Sequence, residues 1–162
     1  MDSLSQIVLG AATGEAVLGK KLGNRALLWG AIGGTIPDLD VLGKFFLDPL
    51  ANLAFHRGIS HSVLFWFVGA LLIAWPVSRR SQVRYKAWVG FFFATFATHV
   101  LLDCFTLYGT QLWAPFASTR IAWSTISVAD PLYTFPFLAF LLVLRRSPKG
   151  STRRQKWHRW AW

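Results

Sequence analysis

Hydrophobic and polar positions alternate along this chain in long blocks rather than in a strand-like period of two. Apolar runs occupy Leu4–Leu18, Arg25–Ile36, Ser62–Val77, Ala87–Leu107 and Val128–Leu144, with short polar or basic stretches between them. Runs of that length read as helices, so the pattern predicts an all-α chain of about five helices. Ala87–Leu107 is long enough to cross a hydrocarbon core of about 30 Å, which takes roughly 20 helical residues, whereas the first two runs are short for that task. Gly10 and Gly14, then Gly30 and Gly34, stand four apart on the first two segments. Small residues at that spacing allow two helix backbones to approach closely.

Composition changes the picture from a helical globule to a polytopic membrane protein. Of the 162 residues, 54% are hydrophobic, with nine Trp and fourteen Phe, and the mean hydropathy is +0.41. The expected architecture is about five membrane-embedded helices, with a membrane-embedded domain over residues 1–146 and a basic, Trp-rich tail over 147–162.

The net charge of +10 would suit nucleic acid, but placement argues for topology instead. If the helices alternate, fourteen of the seventeen basic residues fall on one side, leaving Lys44, Arg57 and Arg120 on the other. The positive-inside rule then puts the C-terminus in the cytoplasm. Lipid is the expected partner and nucleic acid is not. The tail, ending Trp157-His158-Arg159-Trp160-Ala161-Trp162, should lie against anionic headgroups. Cys104 is the only cysteine, so no intramolecular disulfide forms. Glu15, deep in the first helix, is expected to pair with Lys20, Arg25 or a neighbouring helix.

Candidate chemistry sits in three polar clusters: Pro37-Asp38-Leu39-Asp40, His56-Arg57-Gly58-Ile59-Ser60-His61 and His99-Val100-Leu101-Leu102-Asp103. The alternation that organises the basic residues places all three at the opposite, extracytoplasmic end, although they played no part in setting it. His99 and Asp103 share a helix face at spacing four, so a ring nitrogen and a carboxylate oxygen can reach one ion. Two acids two residues apart, Asp38 and Asp40, repel unless a cation or proton lies between them; one would ligate and the other orient a histidine or act as a base. Gly58 permits an unusual backbone angle and Ser60 can cap the third helix, turning His56 and His61 inward. Arg57 carries a fork of donors suited to an anionic group such as phosphate. The expected metal ligands are therefore Asp38, Asp40, His56, His61, His99 and Asp103, on a divalent ion, zinc before others. Asp38, Asp40 and Arg57 are the expected catalytic groups, with Arg57, Tyr108 and Gln111 facing substrate. Asp130 opens the last helix, where capping is sufficient explanation and a supporting role at the site stays open.

The order Met-Asp-Ser-Leu-Ser-Gln, Pro-Asp-Leu-Asp, His-Arg-Gly-Ile-Ser-His-Ser, His-Val-Leu-Leu-Asp and a late Asp-Pro-Leu-Tyr resembles the YdjM-like family of inner-membrane, metal-dependent hydrolase-like proteins, from about Met1 to Leu144. The resemblance implies a bacterial inner-membrane or archaeal origin, the same six ligands, and a distant likeness to the helical fold of zinc-dependent phospholipase C and P1 nuclease. One departure concerns the N-terminus, where the family pattern has a histidine and this chain reads Ser5-Gln6, leaving Gln6 as a weaker ligand or none. The expected function is hydrolysis of a lipid-like phosphoester by metal-activated water. The rivals are a divalent-metal-binding protein or transporter, and a non-catalytic membrane scaffold.

Overall fold

A computed structural model describes residues 1–148, Ser151, Arg154 and Lys156. The expectations for Trp157, His158, Arg159, Trp160 and Trp162 lie outside the described residues. Each of the five apolar runs lies on a helix: α1 (Ser3–Leu22), α2 (Asn24–Thr35), α4 (Val63–Arg79), α5 (Tyr85–Cys104) and α6 (Pro131–Arg146). Between α2 and α4 the chain forms a nine-residue 3-10 helix (Pro37–Phe45), the short α3 (Pro49–Phe55) and a 3-10 turn (Ile59–His61). No named strand occurs among the described residues; Thr110 and Ile121 exchange a single pair of backbone hydrogen bonds.

The helix ends follow local chemistry. Asp2 accepts from the Ser5 N–H, Ser62 from that of Phe65 and Asp130 from that of Leu132, each satisfying a donor that has no partner within its helix. The cap of α4 is thus Ser62 rather than Ser60, because the Ser60 hydroxyl is spent on Asp40 and His61. Gly23, at φ 61°, closes α1 and opens α2 within one residue. Lys20 and Lys21 on α1, and Arg145 and Arg146 on α6, lie in last turns, where cations complement the helix dipole.

The α1–α2 hairpin packs backbone to backbone through the four glycines. A Cβ on Gly10 would stand 2.8 Å from the Gly34 Cα, and one on Gly14 2.8 Å from the Gly30 Cα. Against this hairpin lies an aromatic core from α4 and α5, in which Trp88, Phe91, Phe92 and Phe96 are buried with Leu18, Ala26, Ala70 and Ala74. Helix α6 docks on α1 through Val8, Ala11, Leu141 and Leu144.

Apolar side chains also cover the outside. Leu64, Phe67, Leu71, Leu72 and Trp75 on α4, with Leu132 and Phe135 on α6, are exposed, while Gln6, His61, Thr95, His99 and Asp103 are buried. Such an inside-out distribution suits a lipid solvent. Among the described residues one helix, Tyr85–Cys104, is long and apolar enough to cross a membrane, and Val63–Arg79 is apolar but shorter.

Glu15 pairs with Arg154. The Arg154 fork reaches both its carboxylate oxygens, at 2.8 and 2.6 Å, and also bonds the Asn24 side chain and the Ser147 carbonyl. A bidentate guanidinium outcompetes a single ammonium for such a buried acid.

Candidate metal centre

The three polar clusters converge at one end of the bundle. Asp38, His61, His99 and Asp103 each offer one donor atom, and the four atoms lie within 4.8 Å of one another. His61 Nε2 is 3.2 Å from His99 Nε2, 3.5 Å from Asp38 Oδ1 and 3.4 Å from Asp103 Oδ2. His99 Nε2 is 3.5 Å from Asp38 Oδ1 and 3.6 Å from Asp103 Oδ2. Ligands held at about 2.0–2.1 Å in a tetrahedron stand about 3.3–3.4 Å apart. These five separations, 3.2 to 3.6 Å, lie close to that spacing, so the donor set can hold a small divalent ion.

Hydrogen bonds on the far side of each group aim the donors inward. His99 Nδ1 lies 2.6 Å from the Gly34 carbonyl, which can only accept, so the proton sits on Nδ1 and the Nε2 lone pair faces the cluster. Asp103 Oδ1 accepts from Gln6 Nε2 at 3.1 Å and from the Met1 amine, and Arg57 Nη2 lies 3.4 Å away. Its Oδ2 is buried with no hydrogen-bond partner among the described residues. An orphaned buried carboxylate oxygen is costly unless a cation meets it.

Asp40 and His56 stand outside the group of four. A 3-10 helix turns about 120° per residue, so acids two apart diverge, and they address opposite edges of one imidazole. Asp38 lies on the Nε2 edge of His61, while Asp40 Oδ2 is 3.4 Å from its Nδ1. Asp40 Oδ2 also accepts from the Arg57 N–H at 2.7 Å and the Ser60 hydroxyl at 3.0 Å; Oδ1 is 3.0 Å from His56 Nδ1. With both oxygens occupied, Asp40 orients His61 and His56.

These contacts shift the ionisations. Burial opposes charge on Asp38, yet His61 and His99 hold its carboxyl well below the usual carboxylate range. Burial likewise opposes charge on Asp40, and His56 with His61 overcomes it in the same direction. For His61, burial is outweighed by Asp103, Asp38 and Asp40, and its pKa is pushed up to about 10. The cluster therefore demands a cation, whether a proton on His61 Nε2 or a metal ion.

The remaining candidates surround this centre. Arg57 turns inward, donating to Thr106 Oγ1 at 3.1 Å with its guanidinium over the Tyr108 ring. The left-handed backbone conformation falls on Arg57 (φ 57°), not on Gly58 (φ −90°), because its N–H is bound to Asp40 and its carbonyl accepts from Gln111 at 3.0 Å. Tyr108 packs edge-on to His56. Gln111 touches this region through that backbone bond. Gln6 Nε2 donates to Asp103, and its Oε1 is buried without a hydrogen-bond partner among the described residues. Asp130 caps α6. Sequence reasoning missed Thr106 and the Gly34 carbonyl; a backbone acceptor leaves no mark in residue identity. Exposure is uneven: the Asp38 and His56 side chains are 24% and 30% accessible, whereas His61, His99 and Asp103 are sealed. Of the four donors, Asp38 is thus the one that reaches the surface.

An all-helical architecture with an apolar exterior around a buried Asp/His group that can hold a metal ion defines a membrane protein with a candidate metal centre. The chain belongs to the family of the YdjM inner membrane protein, whose model matches residues 1–162. It is 32% identical over 140 residues to the inner membrane protein YbcI of Escherichia coli (strain K12), covering 81% of this chain and 78% of that one. It is 29% identical over 153 residues to YfhP of Bacillus subtilis (strain 168), covering 88% of this chain but only 46% of YfhP, about half its length. No solved structure matches.

Proposed function

We propose that this chain is a membrane-bound, metal-dependent hydrolase acting on a lipid-like phosphoester at the extracytoplasmic face. The observation that carries the reading is the convergence of one donor atom each from Asp38, His61, His99 and Asp103 within 4.8 Å, with Asp103 Oδ2 buried there without a hydrogen bond among the described residues. Two imidazoles and two carboxylates suit zinc. A divalent ion there would lower the pKa of a bound water toward about 7 and polarise a phosphoryl oxygen.

The chain's own groups divide the remaining work. His56, held at Nδ1 by Asp40 and partly exposed, would take up and return a proton, while Asp40 stays ionised behind it. Arg57 steadies Asp103 and adds positive charge beside the centre, where charge develops on phosphoryl oxygens. A lipid-like substrate is supported by the apolar border: the 3-10 helix bearing Asp38 and Asp40 exposes Leu39, Leu42 and Phe45, and Phe46 follows it. The positive-inside distribution supports five membrane-embedded helices with the C-terminus cytoplasmic.

Elemental analysis of the detergent-purified protein tests this reading, followed by a screen of phospholipids and soluble phosphoesters. Near-stoichiometric ion in the wild type, lost in His99→Ala and Asp103→Ala together with hydrolysis, is expected. A wild type that binds no ion after reconstitution ends the proposal. A second reading, metal binding without catalysis, is favoured by the protein's supply of four donors, as in closed structural sites. Tight ion retention with no hydrolysis across the screen would select it.

A further inference from the structure

At the end of the bundle away from the Asp/His centre, the α1–α2 turn, the last turn of α4 and the start of α5 enclose a cavity of about 1050 Å³. Lys21, Arg25, Arg80 and Arg84 border it, and no aspartate or glutamate does among the described residues. The acid nearest in sequence to this end, Glu15, is bound by Arg154. Among the described residues the guanidiniums of Arg25, Arg80 and Arg84 meet no acid in this cavity; like charges so placed repel one another, and an anion among them relieves that repulsion.

The body of the same cavity is apolar. Trp29 and Trp88 line it, their rings 5.5 Å apart and edge-to-face. The Trp88 N–H is already bound to Ser81 Oγ at 2.6 Å, so Trp88 offers surface rather than a donor. A small inorganic anion needs no such wall. Cationic rim and aromatic body together match an amphiphile whose phosphate meets the arginines and whose glycerol and first methylenes meet the indoles. Just beyond, α4 exposes Leu71, Leu72 and Trp75, so the cavity borders an outer surface that suits hydrocarbon.

We infer that this cavity is a binding site for the phosphate headgroup of an anionic phospholipid from the surrounding leaflet, separate from the Asp/His centre. The inference stands independently of any hydrolytic activity. It commits to lipid over free phosphate because the apolar body has the volume and chemistry for the adjoining glycerol backbone.

The test uses the full chain in phosphatidylcholine nanodiscs doped with phosphatidylglycerol, with retained phosphatidylglycerol counted by native mass spectrometry. Arg25→Gln/Arg84→Gln removes two rim cations. Arg79→Gln/Lys86→Gln removes the same charge from neighbouring positions that do not line the cavity. Preferential retention of phosphatidylglycerol should fall at least about tenfold in the first pair and stay unchanged in the second. Arg80→Gln alone should give a smaller loss, which keeps the inference testable should the double variant unfold. Equal losses in both pairs would mean diffuse surface attraction and overturn the inference. So would displacement of the lipid by micromolar glycerol 3-phosphate, which would mark the cavity as a site for a soluble phosphate.

Discussion

Asp40→Asn separates a metal ligand from a residue that orients one. Asp40 receives the Arg57 N–H at 2.7 Å and the Ser60 hydroxyl at 3.0 Å, faces His56 Nδ1 at 3.0 Å, and lies 3.4 Å from His61 Nδ1. Asparagine keeps the shape and one acceptor oxygen but loses the charge. A hydrogen bond to a charged group contributes about 1.5–3 kcal/mol, roughly twice a neutral one, so each contact weakens by about 1 kcal/mol. Only the part transmitted through His61 and its turn reaches the ion. Loss of such a supporting carboxylate costs about ten- to hundredfold in metal affinity, which is about 1.4–2.8 kcal/mol. Competition titration against a chromogenic chelator measures this directly, with His99→Ala beside it as a variant lacking a donor. The expected order is wild type tightest, Asp40→Asn weaker within that range, and His99→Ala without measurable retention. If Asp40→Asn lost the ion as completely as His99→Ala, Asp40 would be a direct ligand and the assignment from its occupied oxygens would be wrong.

Three further outcomes follow from the packing. Glu15→Gln leaves the Arg154 guanidinium buried without its counter-charge and should destabilise the protein by about 3–5 kcal/mol in detergent unfolding. Glu15→Gln/Arg154→Gln should recover most of that, and a double variant as unstable as the single would refute the account. Thr106→Val removes the hydroxyl that receives Arg57 Nη1 and should cost about 1–3 kcal/mol while leaving the ion content equal to that of the wild type; elemental analysis alongside unfolding checks both halves. Asp38→Ala removes the one donor that is partly accessible and should lower ion retention less than Asp103→Ala, whose Oδ2 is sealed. Equal retention in the two, read by elemental analysis after dialysis, would sink that ranking.

How much of this was legible in the sequence depends on the range of the interaction. The five long helices could be read because apolar runs of sufficient length have few other solutions. The hairpin contact could be read because Gly10, Gly14, Gly30 and Gly34 announce it by spacing. His99 and Asp103 share a face by helical geometry, and the structure places both in the group of four. Asp38 and Asp40 could not be told apart, because their divergence depends on a 3-10 rather than an α or extended backbone. The nine-residue length of that segment exceeds what such helices usually sustain. Short α3 was missed, its seven residues being too few to show a period. The pairing of Glu15 with Arg154 spans 139 residues and no local pattern carries it.

The glycine contact and the candidate metal centre are mechanically one object. Gly34 ends the α2 face that meets Gly10, and its carbonyl holds His99 Nδ1 at 2.6 Å. Gly10→Ala would put a methyl against the Gly30 carbonyl oxygen, its closest neighbour, and 2.8 Å from the Gly34 Cα. Relief to an ordinary contact of about 3.5 Å requires a shift of about 0.7 Å at Gly34 and a larger one at Gly30. A displacement of that size at Gly34 would stretch or break the bond that fixes the His99 tautomer, freeing Nε2 to carry the proton and withdraw from the ion. Gly14→Ala makes the same overlap with Gly30, one turn further from the site. Both substitutions should destabilise by about 1–3 kcal/mol through overpacking, but only Gly10→Ala should also weaken metal binding, by about tenfold or more. Stability is read by detergent unfolding and affinity by chelator competition on the same preparations. Parallel loss of affinity in both variants would show that the hairpin acts on the centre through global stability alone, and the proposed path through the Gly34 carbonyl would fail.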